Sequence, residues 1–128
     1  MVDTLADSLI SIKNNEMLGK SECCVKPASK IAGAILKIMQ REGYVGNFEY
    51  LDDGKAGVYK IQLLGKINNC RVIKPRYNVK ADGFEKWEKR YLPARAMGIL
   101  IVSTPQGLLT HTEAKMAGTG GKLLAFVY

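Results

Sequence analysis

The sequence is poor in the residues that catalysis and metal binding draw on. It has a single histidine, His111, and three cysteines, Cys23, Cys24 and Cys70. Two of the cysteines are adjacent and no Cys-x-x-Cys occurs. Neither a disulfide framework nor a zinc site is expected, and reduced, mostly buried thiols suit a cytoplasmic protein. Cys23 and Cys24 cannot share one face of a strand, so one of them should be core. Long apolar runs are missing as well: Met97 to Val102 is far too short to span a membrane. Met1-Val2-Asp3-Thr4 lacks the basic patch and apolar run of a signal peptide, so no membrane association is expected. No repeat and no low-complexity linker interrupts the chain. No nucleophile and base stand at a suggestive spacing. Asp3 and Asp7 lie four apart, as metal ligands can, yet carboxylates in a first helical turn are favoured by the dipole alone. The expectation is therefore no catalytic residue, no metal and no cofactor.

Negative charge is the other scarcity. There are 12 acidic residues against 19 basic ones, a formal charge of +7 on 128 residues. Residues 1–64 hold eight of each sign; residues 65–128 hold eleven basic and four acidic residues and so carry the whole excess. A half-chain imbalance of this kind points to a polyanionic partner for the second half, either nucleic acid or an acidic membrane surface. With 47% hydrophobic residues the chain can still build a core, as one domain or two very small ones.

Periodicity orders the elements. Asp3 or Thr4 caps a first helix with Leu5, Ala6, Leu9 and Ile12 on one face, ending by about Glu16. Cys23 to Val25 is a short strand. Ser29 caps a second helix whose apolar face is Ile31, Ala34, Ile35, Ile38 and Met39, and Gly43 stops it. The period then changes to two. Tyr44 to Tyr50 and Gly57 to Leu64 form a hairpin about Asp52-Asp53-Gly54, with Tyr59, Ile61 and Leu63 sharing a face. Gly65 to Asn69 reads as a junction. Cys70 to Ile73 is a strand interrupted by Lys74-Pro75-Arg76-Tyr77. Asp82 to Tyr91 is a short helix, Met97 to Ser103 a β-branched strand, and Leu108-Leu109 its continuation after a Pro-and-Gly turn. Thr110-His111-Thr112-Glu113 matches a capping box opening a helix to about Met116, which accounts for His111 without catalysis. Leu123 to Tyr128 is a closing strand. The fold class is α+β: two small lobes, an N-terminal α-β-α-β-β unit over 1–64 and a mostly β lobe with short helices over 65–128.

Three segments could carry binding chemistry. Gly118-Thr119-Gly120-Gly121-Lys122 fails as a phosphate loop, and fails as the loop of a KH domain because it leads into a strand. A tight turn with glycines at positive φ is the plainer reading, with Lys122 free to meet a phosphate. Lys74 to Arg95 interleaves cations with Tyr77, Phe84, Trp87 and Tyr91, which suits nucleic acid; helical spacing favours rings mainly in the core and cations mainly on the surface. In Ser103-Thr104-Pro105-Gln106-Gly107, two hydroxyls and an amide can donate and accept at the end of a stiff strand. That suits unpaired base edges and 2′-hydroxyls of RNA, and Gly107 would allow close backbone approach.

The chain resembles the universal small-subunit ribosomal protein eight family, in its archaeal and eukaryotic cytosolic branch, along essentially its whole length. The opening Asp3-Thr4-Leu5-Ala6-Asp7-Ser8-Leu9 with Ile12-Lys13-Asn14, then Pro27-Ala28-Ser29-Lys30 and Glu42-Gly43-Tyr44, follow the family's order. Arg71-Val72-Ile73-Lys74-Pro75-Arg76-Tyr77 is similar to a run of that branch, continued by Glu85-Lys86-Trp87, Leu92-Pro93 and Arg95. Ser103-Thr104 with Gly107, Glu113-Ala114, and Gly120-Gly121-Lys122-Leu123-Leu124 resemble the family's signature block. Many bacterial members carry a third hydroxyl where Pro105 stands, a cation is common in place of Gln106, and bacterial forms often have Glu where Lys122 stands.

The resemblance implies a ribosomal, cytoplasmic protein that binds the central domain of small-subunit rRNA early in assembly, beside neighbouring small-subunit ribosomal proteins. It also implies, in some members, repression through mRNA of the protein's own operon. The expected RNA-binding set is Thr4 and Lys30 at two helix starts, Lys74, Arg76 and Tyr77, the turn Ser103, Thr104, Pro105, Gln106 and Gly107, then Glu113, Gly121 and Lys122. Two rivals are a small metal-dependent nuclease using Asp3 and Asp7, and a protein-binding adaptor using the apolar closing strand. A transcription factor is disfavoured, because no recognition helix with base-reading polar residues is evident.

Overall fold

The computed structural model describes residues 4–25, 30–52, 54, 57–73, 76–93 and 97–128. Among them are four helices and eight strands in two antiparallel sheets, an α+β fold as expected. The chain divides into two compact units, Met1–Asn69 and Cys70–Tyr128.

The first unit holds α1 (Thr4–Met17), β1 (Glu22–Val25), α2 (Lys30–Arg41), β2 (Val45–Leu51) and β3 (Val58–Leu63). Its sheet runs β1-β3-β2, with Cys23 opposite Ile61 and Tyr50 opposite Tyr59. Helical spacing puts Leu5, Leu9 and Ile12 of α1 in the core, where they line one small space with Ala32, Ile35 and Leu36 of α2; Ile38 and Met39 are buried as well. The buried stripe of α2 takes Ala32 and Leu36, leaving Ile31 and Ala34 only half-buried. Burying a side chain of this size contributes about 1.5–3 kcal/mol. At the β2–β3 turn, Gly54 N–H donates to the Asp52 carboxylate at 2.9 Å, a local closure that Asp provides readily. Asp53 and the expected cap Ser29 lie outside the described residues.

The second unit holds β4 (Cys70–Val72), β5 (Asn78–Val79), α3 (Phe84–Tyr91), β6 (Ile99–Thr104), β7 (Gly107–Thr110), α4 (His111–Ala117) and β8 (Gly121–Val127). The sheet order is β4-β8-β6-β7, and β5 also pairs with β8. Strand β8 is therefore central. Leu100, Ile101 and Val102 are wholly buried, so neither face of β6 is open there. That is why the run carries no polar alternation.

A bulge breaks the β6–β8 register: Ile101 faces Ala125, but Val102 faces Leu123. Leu124 is the extra residue. As a result Leu123 and Phe126, three apart, join Leu100, Val102 and Phe84 in one cluster with Ile73, Val79, Leu92 and Ala114.

The two-residue strand β5 was not expected, since a segment this short carries no readable period. The glycine reading of 118–121 also needs correcting. Gly118 is left-handed, φ 66°, and ends α4. Gly120 and Gly121 are not left-handed; a Cβ on Gly120 would strike the Val79 carbonyl, and one on Gly121 the Ser103 carbonyl.

Cys23 is buried and Cys24 exposed, as strand alternation requires; Cys70 is also buried. Burial pushes the Cys23 thiol up to about 11, with Cys24 and Glu16 adding to the effect. Cys24 should therefore be alkylated first in the native protein at mildly alkaline pH, the other two only on denaturation. Peptide mapping of native and unfolded samples checks this.

Candidate nucleic-acid interface

The turn between β6 and β7 projects from the end of the sheet. Ser103 faces Leu108, and Thr104 faces Gly107, so Pro105-Gln106 form a two-residue connection. Pro105 fixes its own φ at the first turn position. Thr104 locks the turn: its hydroxyl donates to the Gly107 carbonyl at 2.8 Å and accepts from Gln106 N–H at 3.1 Å. With 9% exposure it keeps one acceptor lone pair and no free proton. Gly107 takes a φ of 111°, which favours glycine, and a Cβ there would meet no other atom of the protein. Pro105 and Gln106 are exposed. The Ser103 hydroxyl is half-exposed and has no hydrogen-bond partner among the described residues.

Strand β8 enters beside this turn. Lys122 pairs with Ser103 on β6 and with Asn78 on β5, so Asn78, Lys122, Ser103 and Leu108 form one row across four strands. Paired residues of an antiparallel ladder share a face, and this row faces away from the cluster holding Val102 and Leu123. Lys122 and Asn78 are exposed. Gly121 makes the row possible by letting β8 close on the Ser103 backbone.

The turn is braced from behind by α4. Thr110 and Glu113 form the expected capping box: Glu113 N–H donates to the Thr110 hydroxyl at 3.2 Å, and Thr110 N–H donates to the Glu113 carboxylate at 3.1 Å. His111, 7% exposed, accepts from Leu100 N–H through Nδ1 at 3.1 Å, and its Nε2 lies 3.2 Å from Glu88 of α3. Glu88 also pairs with Lys115. Both ring nitrogens are thus committed to holding β6, α4 and α3 together.

The other expected residues are spread out. Arg76 is exposed just before β5, and the half-buried Tyr77 stacks on Trp87 at 4.6 Å. Glu113 contributes through the cap. Lys30 is exposed at the first residue of α2, in the other unit. Lys74 and the side chain of Thr4 lie outside the described residues. Asn78 was missed, because only the pairing of a strand too short to recognise sets it beside Lys122. The interface belongs to a unit with ten basic and four acidic residues. A fixed turn, an amide, a hydroxyl and a lysine on one exposed row can contact phosphates and read groove edges.

Two substitutions test this bracing. His111→Ala strands the buried Leu100 N–H and should lower stability by about 1–3 kcal/mol in denaturant unfolding. Gly121→Ala should cost a similar ~1–3 kcal/mol, because the added methyl meets backbone and not a flexible side chain.

A family model described as Ribosomal protein S8 matches residues 3–128.

Proposed function

The chain belongs to the ribosomal protein S8 family, a small-subunit ribosomal protein that binds rRNA, and from that premise we propose how its second unit holds the RNA. The row Asn78–Lys122–Ser103 beside the locked 104–107 turn carries the reading. Lys122 and Arg76 neutralise phosphates, with Lys74 in the same role. The Ser103 hydroxyl and Asn78 amide meet 2′-hydroxyls and base edges in a widened minor groove. Gln106 and the backbone of Pro105 and Gly107 reach the irregular core of the helix. Thr104 keeps the turn in shape and accepts one further hydrogen bond. Glu113 and Gly121 act by positioning. Thr4 and Lys30, from the first unit, add phosphate contacts at helix starts, where backbone N–H groups also point outward.

The target in this reading is the central domain of small-subunit rRNA, bound early enough to shape its assembly beside neighbouring ribosomal proteins. Repression of the protein's own operon follows the same chemistry: an mRNA segment folded into the same irregular helix offers the same phosphates and edges. Lys122 after Gly120-Gly121, with the Arg71 to Tyr77 run, favours the archaeal and eukaryotic-type branch. The working location is the cytoplasmic ribosome. A non-catalytic role is supported by His111, the one histidine, having both nitrogens engaged within the fold.

Filter binding to a folded central-domain fragment and to random duplex RNA tests the interface. Ser103→Ala should weaken the fragment by roughly threefold to tenfold, a cost on the order of 1 kcal/mol, and leave the duplex unchanged. Equal loss on both would make the turn purely structural. Lys122→Ala and Arg76→Ala should each lower the slope of log affinity against log salt by about one. An unchanged slope would remove that cation from the interface.

A further inference from the structure

The spacing of Phe84, Trp87 and Tyr91 is that of a buried helix face, but only Phe84 enters the core completely. Trp87 and Tyr91 remain half-exposed and belong to a longer column of rings. Tyr77 stacks on Trp87 with centroids 4.6 Å apart and planes 28° from parallel. Trp87 and Tyr91 follow at 6.3 Å, Tyr91 and Phe126 at 5.4 Å, and Phe126 and Tyr128 at 5.9 Å. The column thus runs from the residue before β5, across α3, to the residue that follows β8.

Two cations sit on it. Arg90 Cζ lies 5.6, 5.5 and 5.5 Å from the ring centroids of Tyr77, Trp87 and Tyr91. Lys86 Nζ lies 5.2 Å from that of Trp87. Neither has a carboxylate partner among the described residues. The two carboxylates of α3 are engaged elsewhere, Glu85 with Lys89 and Glu88 with His111 and Lys115. Arg90 and Lys86 are therefore uncompensated charges, held by rings. A guanidinium held in this way loses little further freedom when an anion arrives, and its outer face stays open for stacking.

Half-exposed rings with held cations are the combination that grips single-stranded nucleic acid: phosphate on the cation, base on a π face. An acidic protein would also satisfy the charge. The aromatic column and the excess of ten basic over four acidic residues in this unit favour RNA. Position separates this surface from the 103–107 turn. Tyr77 and Asn78 are consecutive on an extended segment, so their side chains leave on opposite faces. Asn78 shares the face of Lys122 and Ser103, whereas Tyr77 packs with α3 on the other.

We propose that the Tyr77–Trp87–Tyr91 column with Arg90 and Lys86 is a second RNA contact, which takes unpaired nucleotides of a different RNA stretch from the one held at the turn. The assignment rests on the protein being an RNA binder and extends that reading to a face it does not use.

Trp87 is the one tryptophan of the chain and reports the contact directly. A short single-stranded oligouridylate is titrated into the full protein in dilute salt while Trp87 emission is followed. Saturable quenching is expected, weakened about threefold to tenfold by Arg90→Ala and less by Arg90→Lys. Ser103→Ala should leave this titration unchanged while it weakens the folded rRNA fragment. No quenching, or identical titrations for wild type and a folded Arg90→Ala, overturns the proposal. A column that instead binds an acidic peptide and ignores the oligouridylate overturns it in favour of a protein partner. If the turn variants bind the folded fragment as tightly as wild type while the column still quenches, the error lies in the turn and not here.

Discussion

Strand β8 has to lie almost against the backbone of its neighbours, and the second unit is organised by that closeness. At Gly121 there is no room for a methyl beside the Ser103 carbonyl, and at Gly120 none beside that of Val79. These two approaches bring β5 and β6 to opposite sides of one strand. They set Lys122 between an amide and a hydroxyl, and leave the β6–β7 turn extending past the sheet. The chemistry of the surface thus depends on two absent side chains as much as on those present.

Much of this was legible beforehand because it rests on local rules. The capping box at Thr110 and Glu113 is a four-residue pattern with one physical meaning. The alternation in Tyr59 to Leu63 and the adjacency of Cys23 and Cys24 each admit one assignment to faces. What could not be read depends on pairing between distant segments. Asn78 joins the row only through β8, and the turn-locking hydrogen bonds of Thr104 depend on Gly107 presenting its carbonyl at the right distance. Gly121 was misassigned for the same reason: spacing shows that glycine is needed, but only neighbours show whether φ or room is the cause. Periodicity likewise identified Trp87 and Tyr91 as one helix face with no means of showing that Tyr77 and Phe126 would extend it into a column.

His111 illustrates how a residue type suggestive of catalysis can be built into the packing of a fold. Its imidazole accepts from the backbone of β6 and reaches Glu88 across to α3. Glu88 thereby turns towards α4, where it meets both His111 and Lys115. One carboxylate thus ties α3 to α4 through two partners.

The central place of β8 has a bearing on biosynthesis. The sheet of the first unit is complete once β3 has been made, and nothing later in the chain is needed to pair it. In the second unit β4, β5 and β6 all wait for a strand translated after every one of them. The nascent chain therefore carries a finished first unit and an unfinished second one through much of its elongation, and the row of Asn78, Lys122 and Ser103 is assembled only when β8 clears the exit tunnel.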